Sequence, residues 1–230
     1  MADTGVTSRQ GVVAGDAAAR HGAEDTVLAM THRLILAVTR HWLAVVNVAM
    51  GLVLGVALLA PWLMLHGAPG AGQLIYLMYR PLCHQLPERS FFLGGPQAAY
   101  TLPELNAHLG YEAPARWIGD AQLGFKMAFC ERDAAIYAGW LAAGLGFGLV
   151  RRRFRGLSWQ VMVALAVPIT VDGVGQLFGA WESTWWMRVI TGVLFAVGTV
   201  GFAYPFIEQA MREAEDVALR SLEESDAGSR

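Results

Sequence analysis

The chain is short of charge. Of its 230 residues, 16% are Asp, Glu, Lys or Arg and 55% are hydrophobic, and the mean hydropathy is +0.39. Soluble domains carry about 25% charged residues, so this balance excludes an ordinary soluble globule and points to a membrane. A basic excess is missing as well. The net charge is −2 and no basic stripe could neutralise phosphates, which excludes a nucleic-acid partner. Cysteine is nearly absent: Cys83 and Cys130 are too few for a disulfide-rich framework but suffice for one bridge or two metal ligands. No short apolar core follows Arg9 or Arg20, as a secretory leader would require.

Long apolar runs are abundant. Residues 42–65, 134–150, 157–180 and 185–207 form four of them. At about 1.5 Å per residue they reach, or come close to, the length that crosses a hydrocarbon core of roughly 30 Å. The predicted fold class is an all-α membrane protein: four transmembrane helices in a bundle, with a long extracytoplasmic loop, 66–133, between the first and second spans. Residues 1–25 are Ala, Gly and polar residues without apolar periodicity, which predicts a disordered tail. The 26–41 stretch reads as an amphipathic surface helix, and 208–230 as a cytoplasmic helix and tail. Within the loop, Thr101-Leu102-Pro103-Glu104 matches a capping box and Gly110 a stop, predicting a helix over 102–109.

Small residues four apart, Ala135 and Gly139, Gly144 and Gly148, Gly175 and Gly179, let helices approach closely in lipid. They predict packing within one bundle, with a homodimer as the other arrangement. Arg151, Arg152, Arg153 and Arg155 crowd the short turn between the second and third spans. By the positive-inside rule that turn is cytoplasmic, so both termini are inside and the loop is outside.

The chemistry-bearing residues gather at the two ends of that loop. Cys83 and His84 stand at one end, Cys130 and Asp133 at the other. Two thiolates, an imidazole and a carboxylate suit a tetrahedral metal, with zinc the expected ion. The rival is a Cys83–Cys130 disulfide, which an oxidising exterior favours. Deeper in, Asp172 interrupts the third span about 12 Å from its outer end by helical rise. A carboxylate there costs ~2.5–3.5 kcal/mol unless paired or hydrated. Gln176 lies one turn outward, and Arg188 enters from the fourth span. Two expectations follow: an Asp172–Arg188 ion pair that ties two helices, or a catalytic floor of Asp172, Gln176 and Arg188 beneath the Cys/His loop. Arg80, Arg89 and Arg132 on the same side suit phosphate or carboxylate binding.

Cys83-His84-Gln85 with Pro87-Glu88-Arg89-Ser90-Phe91, and Cys130-Glu131-Arg132-Asp133 leading into Ala134-Ala135-Ile136-Tyr137-Ala138-Gly139, resemble the paired signatures of a family of prokaryotic polytopic membrane proteins. That family is catalogued as a domain of unknown function. Asp172-Gly173 and Arg188 with Thr191-Gly192 resemble a third element. The likeness runs over roughly 75–205, with 94–128 as an insert. It implies the membrane fold, a shared site and a prokaryotic inner (plasma) membrane with its lipids as neighbours, and it brings no activity. Three functions remain in view. One is a metal-dependent or metal-handling protein acting on a lipid-like or anionic substrate. The second is a non-catalytic membrane subunit held by the disulfide and the ion pair. The third is a small proton- or ion-coupled transporter using Asp172.

Overall fold

The computed structural model describes residues 6–228, with side chains described over 30–223. The helices, in chain order, are α1 (Val6–Leu65), α2 (Pro69–Tyr79), α3 (Leu102–Leu109), α4 (Glu131–Val150), α5 (Trp159–Leu177) and α6 (Trp185–Gly228). Between α2 and α4 lie a 3-10 turn, Pro87–Arg89, and three short strands, β1 (Phe92–Leu93), β2 (Gly119–Asp120) and β3 (Gly124–Lys126). Four segments are long and apolar enough to cross a membrane: Met30–Leu65, Glu131–Val150, Trp159–Leu177 and Trp185–Glu223. Leu52, Leu145, Val171 and Ile190 are exposed on them, a surface suited to hydrocarbon.

By contacts the chain divides into two compact units, Met1–Trp42 with Ile207–Arg230, and Leu43–Phe206. In the first, Trp42 Nε1 donates to Glu208 Oε2 at 3.0 Å and Arg40 Nε to Glu215 Oε1 at 2.7 Å. The second holds the site.

Proline chemistry explains how the second unit is tied together. Pro61 lies inside α1 and Pro205 inside α6. Each lacks an N–H, so the carbonyl four residues earlier has no helical partner. Both carbonyls are taken by segments from elsewhere, as apolar surroundings demand. Ala128 N–H donates to Ala57 O at 3.2 Å, and Leu157 N–H to Gly201 O at 2.9 Å. The strap before α4 is thereby fastened to α1, and the turn before α5 to α6. Around the first joint Ala57, Ala60, Ile75, Tyr76, Tyr79, Cys83 and Phe129 form a buried core. Tyr79 meets Phe129 edge to face at 4.8 Å.

Small residues do the packing between helices. A Cβ on Gly139 would lie 2.6 Å from the Ala196 Cβ, and one on Gly144 would lie 2.2 Å from Asn47 Oδ1. One on Gly175 would strike the Trp181 ring at 2.2 Å. All three contacts are made within the chain, two between helices and one to Trp181 in the turn before α6.

The long loop carries a small sheet, antiparallel throughout, in the order β1-β3-β2. Phe92, Tyr100, Leu105 and Ala113 fill a core of their own beside it. The capping box at α3 has both its bonds, and Gly110 closes the helix at φ 74°. That left-handed conformation is one glycine adopts at little cost.

Two sequence expectations need correction. The chain is helical from Val6 onward, where a disordered tail over 1–25 was expected; Ala14, Ala17, Ala18, Ala19 and Ala23 supply helix propensity there. Residues 1–5 lie outside the described residues. Nor is 26–41 a separate surface helix: α1 is continuous into the first span, because no Gly or Pro interrupts 26–47. The polar stretch after residue 207, expected to be helical, continues α6 as far as Gly228.

Candidate functional site

The site begins at Cys130, the N-cap of α4. Its Sγ accepts from the Asp133 N–H at 3.4 Å, and its thiol donates to Asp133 Oδ2 at 3.1 Å. A Ser, Asp or Asn usually fills that capping position; here a sulfur does. Cys83 arrives from the other end of the loop, and its Sγ accepts from the Cys130 N–H at 3.2 Å. Both cysteines are free thiols. The two sulfurs and an Asp133 oxygen lie within 4.8 Å of one another.

The backbone turns sharply just past Cys83. Gln85, at φ 57°, is the one non-glycine residue with positive φ among those described. The turn sends neighbouring side chains in opposite directions. Gln85 is buried and its amide donates to Tyr76 O at 2.9 Å, whereas His84 is exposed. His84 lines the adjoining cavity but lies outside the three-ligand group. The four-ligand set expected from sequence is thus three ligands plus a histidine at the rim.

Electrostatics separates the two thiols. The Cys130 thiol beside it holds Cys83 below the usual thiol range, with burial and Asp133 opposing. Cys130 is pushed up by its bond to Cys83, then by burial and by the Asp133 charge. Lys126, buried beneath, donates from Nζ to Gln85 O. Burial lowers its pKa from 10.5 to about 8, with attraction to Cys83 and Glu88 opposing. Lys126 is a site neighbour that sequence reasoning missed; a lysine at the end of a two- or three-residue strand gives no sign of being buried.

Asp172 and Arg188 are both buried, and they do not pair as expected. Asp172 accepts from Arg132 Nη2, from Ser183 Oγ at 2.9 Å, and from Trp181 Nε1 and Gln176 Nε2 at 3.3 Å each. Arg188 instead donates from Nη1 to Glu131 Oε2 at 2.8 Å. The reason is the first turn of α4, which stands between α5 and α6 and offers each a partner: Arg132 to Asp172, Glu131 to Arg188. Three of the four donors converge on Oδ2 and one, Trp181, reaches Oδ1. The carboxylate thereby anchors the Arg132 guanidinium.

These groups surround a cavity of about 370 Å³. Cys83, His84, Gln85, Cys130 and Asp133 line it together with Arg89, Arg132, Gln176 and Arg188, and with Leu82 and Leu86. Asp172 is not in the lining. Of the expected catalytic floor, Gln176 and Arg188 face the cavity and Asp172 stands behind it.

Comparison with known proteins fits this architecture. Residues 121–202 match the family described as "Predicted membrane protein (DUF2085)". That region holds Cys130–Asp133, Asp172, Gln176 and Arg188 but begins after Cys83 and His84, so it is shorter than the 75–205 expected from the motifs. An uncharacterised protein of Methanocaldococcus jannaschii is 29% identical over 134 residues, covering 57% of this chain and 67% of the relative. No solved structure matches the chain. This is a membrane protein carrying a Cys/Asp cluster, similar to a membrane family of unknown function.

Proposed function

We propose that Cys83, Cys130 and Asp133 hold a divalent metal, zinc being the ion their chemistry suits, at the wall of a cavity that receives a lipid-like or anionic substrate. The observation that carries this reading is the convergence of two thiols and a carboxylate from opposite ends of a long loop. Three protein ligands leave a fourth tetrahedral position open, as in catalytic rather than structural zinc sites. An ion bound there would polarise a substrate oxygen or activate water. The chain's own residues supply the rest. Glu131 fixes Arg188 and Asp172 fixes Arg132, so both guanidinium groups are pre-oriented toward a bound anion. The arginine cluster between α4 and α5 supports a cytoplasmic turn there, with both termini inside and the cavity on the outer face of a prokaryotic plasma membrane.

A second reading rests on the same adjacent sulfurs: a Cys83–Cys130 disulfide that staples the loop of a non-catalytic subunit.

The test is elemental analysis with thiol titration on one sample of full-length protein, purified in detergent without chelator. About one equivalent of zinc is expected, with both thiols reactive only after chelation, and Cys83→Ser or Asp133→Asn should lose most of the metal. Two thiols that appear only after reduction would establish the disulfide and overturn the metal reading. Two freely reactive thiols without metal would overturn both.

A further inference from the structure

Three guanidinium groups line the cavity, and each has the same unusual feature. Arg89 Nε, Arg132 Nε and Arg188 Nε are buried atoms without a hydrogen-bond partner. They come from three separate segments: the 3-10 turn, the first turn of α4 and the first turn of α6. Buried donors are nearly always paired, and an unpaired one on a charged group is costly. The Nε atoms are themselves shut off from solvent, so what the three side chains bring to the cavity wall is their positive charge, from three separate segments.

The neutralising carboxylates sit behind the wall. Glu131 and Asp172 are buried and take Arg188 Nη1 and Arg132 Nη2, and neither lines the cavity. Glu88 is also absent from the lining, and at 3.9 Å its carboxylate is too far to bond Arg89 Nε. Instead, Glu88 and Glu131 line a second cavity, which shares Arg188 with the first. The Arg188–Glu131 pair thus forms a partition with its cationic side toward the thiol cluster. Facing the first cavity are three arginines and a single carboxylate, Asp133, already bonded to Cys130.

We propose that Arg89, Arg132 and Arg188 form a binding site for a phosphate group, beside the Cys83/Cys130/Asp133 cluster. A planar carboxylate offers two oxygens in one plane, whereas a phosphate presents three to donors that converge from different segments. The proposal deepens the reading above by naming the substrate class of that cavity. It needs no bound metal. The phosphate comes either from a lipid headgroup or from a soluble phosphate.

The experiment uses full-length protein in detergent, stripped with chelator so that failure to bind metal and failure to bind phosphate are separate results. Inorganic phosphate is titrated by calorimetry at constant ionic strength against chloride and acetate. Vesicles of phosphatidic acid are compared with phosphatidylcholine vesicles in protection of the reconstituted protein against heat. Saturable phosphate binding is expected, weakened at least tenfold in Arg89→Gln and partly restored in Arg89→Lys. Arg89 is the variant of choice because it holds no buried partner; Arg188→Gln is made together with Glu131→Gln so that no lone charge is left inside. Binding of inorganic phosphate supports a soluble source, and protection by phosphatidic acid alone supports a lipid source. Phosphate and phosphatidic acid performing no better than chloride, acetate binding as tightly as phosphate, or Arg89→Gln binding as tightly as the parent would each overturn the proposal.

Discussion

The two buried ion pairs at the foot of α4 are built differently. Asp172 is held by Arg132 and by three neutral donors, Ser183, Trp181 and Gln176. Glu131 has Arg188, and its side chain is 1% exposed. One carboxylate is over-determined; the other depends on a single guanidinium. Redundancy of donors, more than depth of burial, decides what happens when an arginine is lost.

The largest expected effect is Arg188→Gln. It leaves the buried Glu131 carboxylate without its hydrogen-bonded partner, and breaking such a pair costs ~3–5 kcal/mol. Thermal unfolding in detergent should show a steep loss, most of it recovered in Glu131→Gln/Arg188→Gln. Failure of the double variant to recover would mean that Arg188 stabilises by another route. Next comes Arg132→Gln. Asp172 keeps three donors, so the loss should be about 1–3 kcal/mol; a loss as large as that of Arg188→Gln would erase the distinction between the pairs.

Lys126 sharpens the comparison as a buried cation whose charge burial opposes. Its folded pKa is lowered from 10.5 to about 8. Between those values the unfolded chain binds the proton and the folded protein does not, so stability rises with pH through that window. Below about 8 both states are protonated and the folded state carries the full penalty. The melting temperature should therefore climb from pH 8 toward 10, and Lys126→Met should flatten that climb. An unchanged slope in the variant would assign the rise to other groups.

The spans were legible because hydrocarbon demands long apolar runs, and α3 because a capping box and a glycine stop mark both its ends. The cluster was legible from its residue types: two cysteines and an aspartate at the ends of one loop. The pairing of Asp172 was not. Sequence gives depth along a helix but not which neighbour that helix faces: Asp172 meets Arg132, and Arg188 meets Glu131. Glu131 and Arg132 stood inside a motif already singled out, so the signal for the true partners was adjacent to the residues chosen. His84, beside the positive φ at Gln85, lines the cavity but lies outside the three-residue group. The sheet went unseen because strands of two or three residues carry no periodicity.

One consequence of the Cys130 cap reaches beyond ligand binding. The sulfur that would take up a metal or a disulfide is also the acceptor that starts a transmembrane helix, at 3.4 Å from the Asp133 N–H. The turn it starts carries Glu131 and Arg132, the anchors of both neighbouring helices. A metal ion or a sulfur partner bound there would compete with the Asp133 N–H for the same lone pairs. One sulfur thus serves two structures at once, the cluster and the cap of the helix whose first turn pairs with α5 and α6.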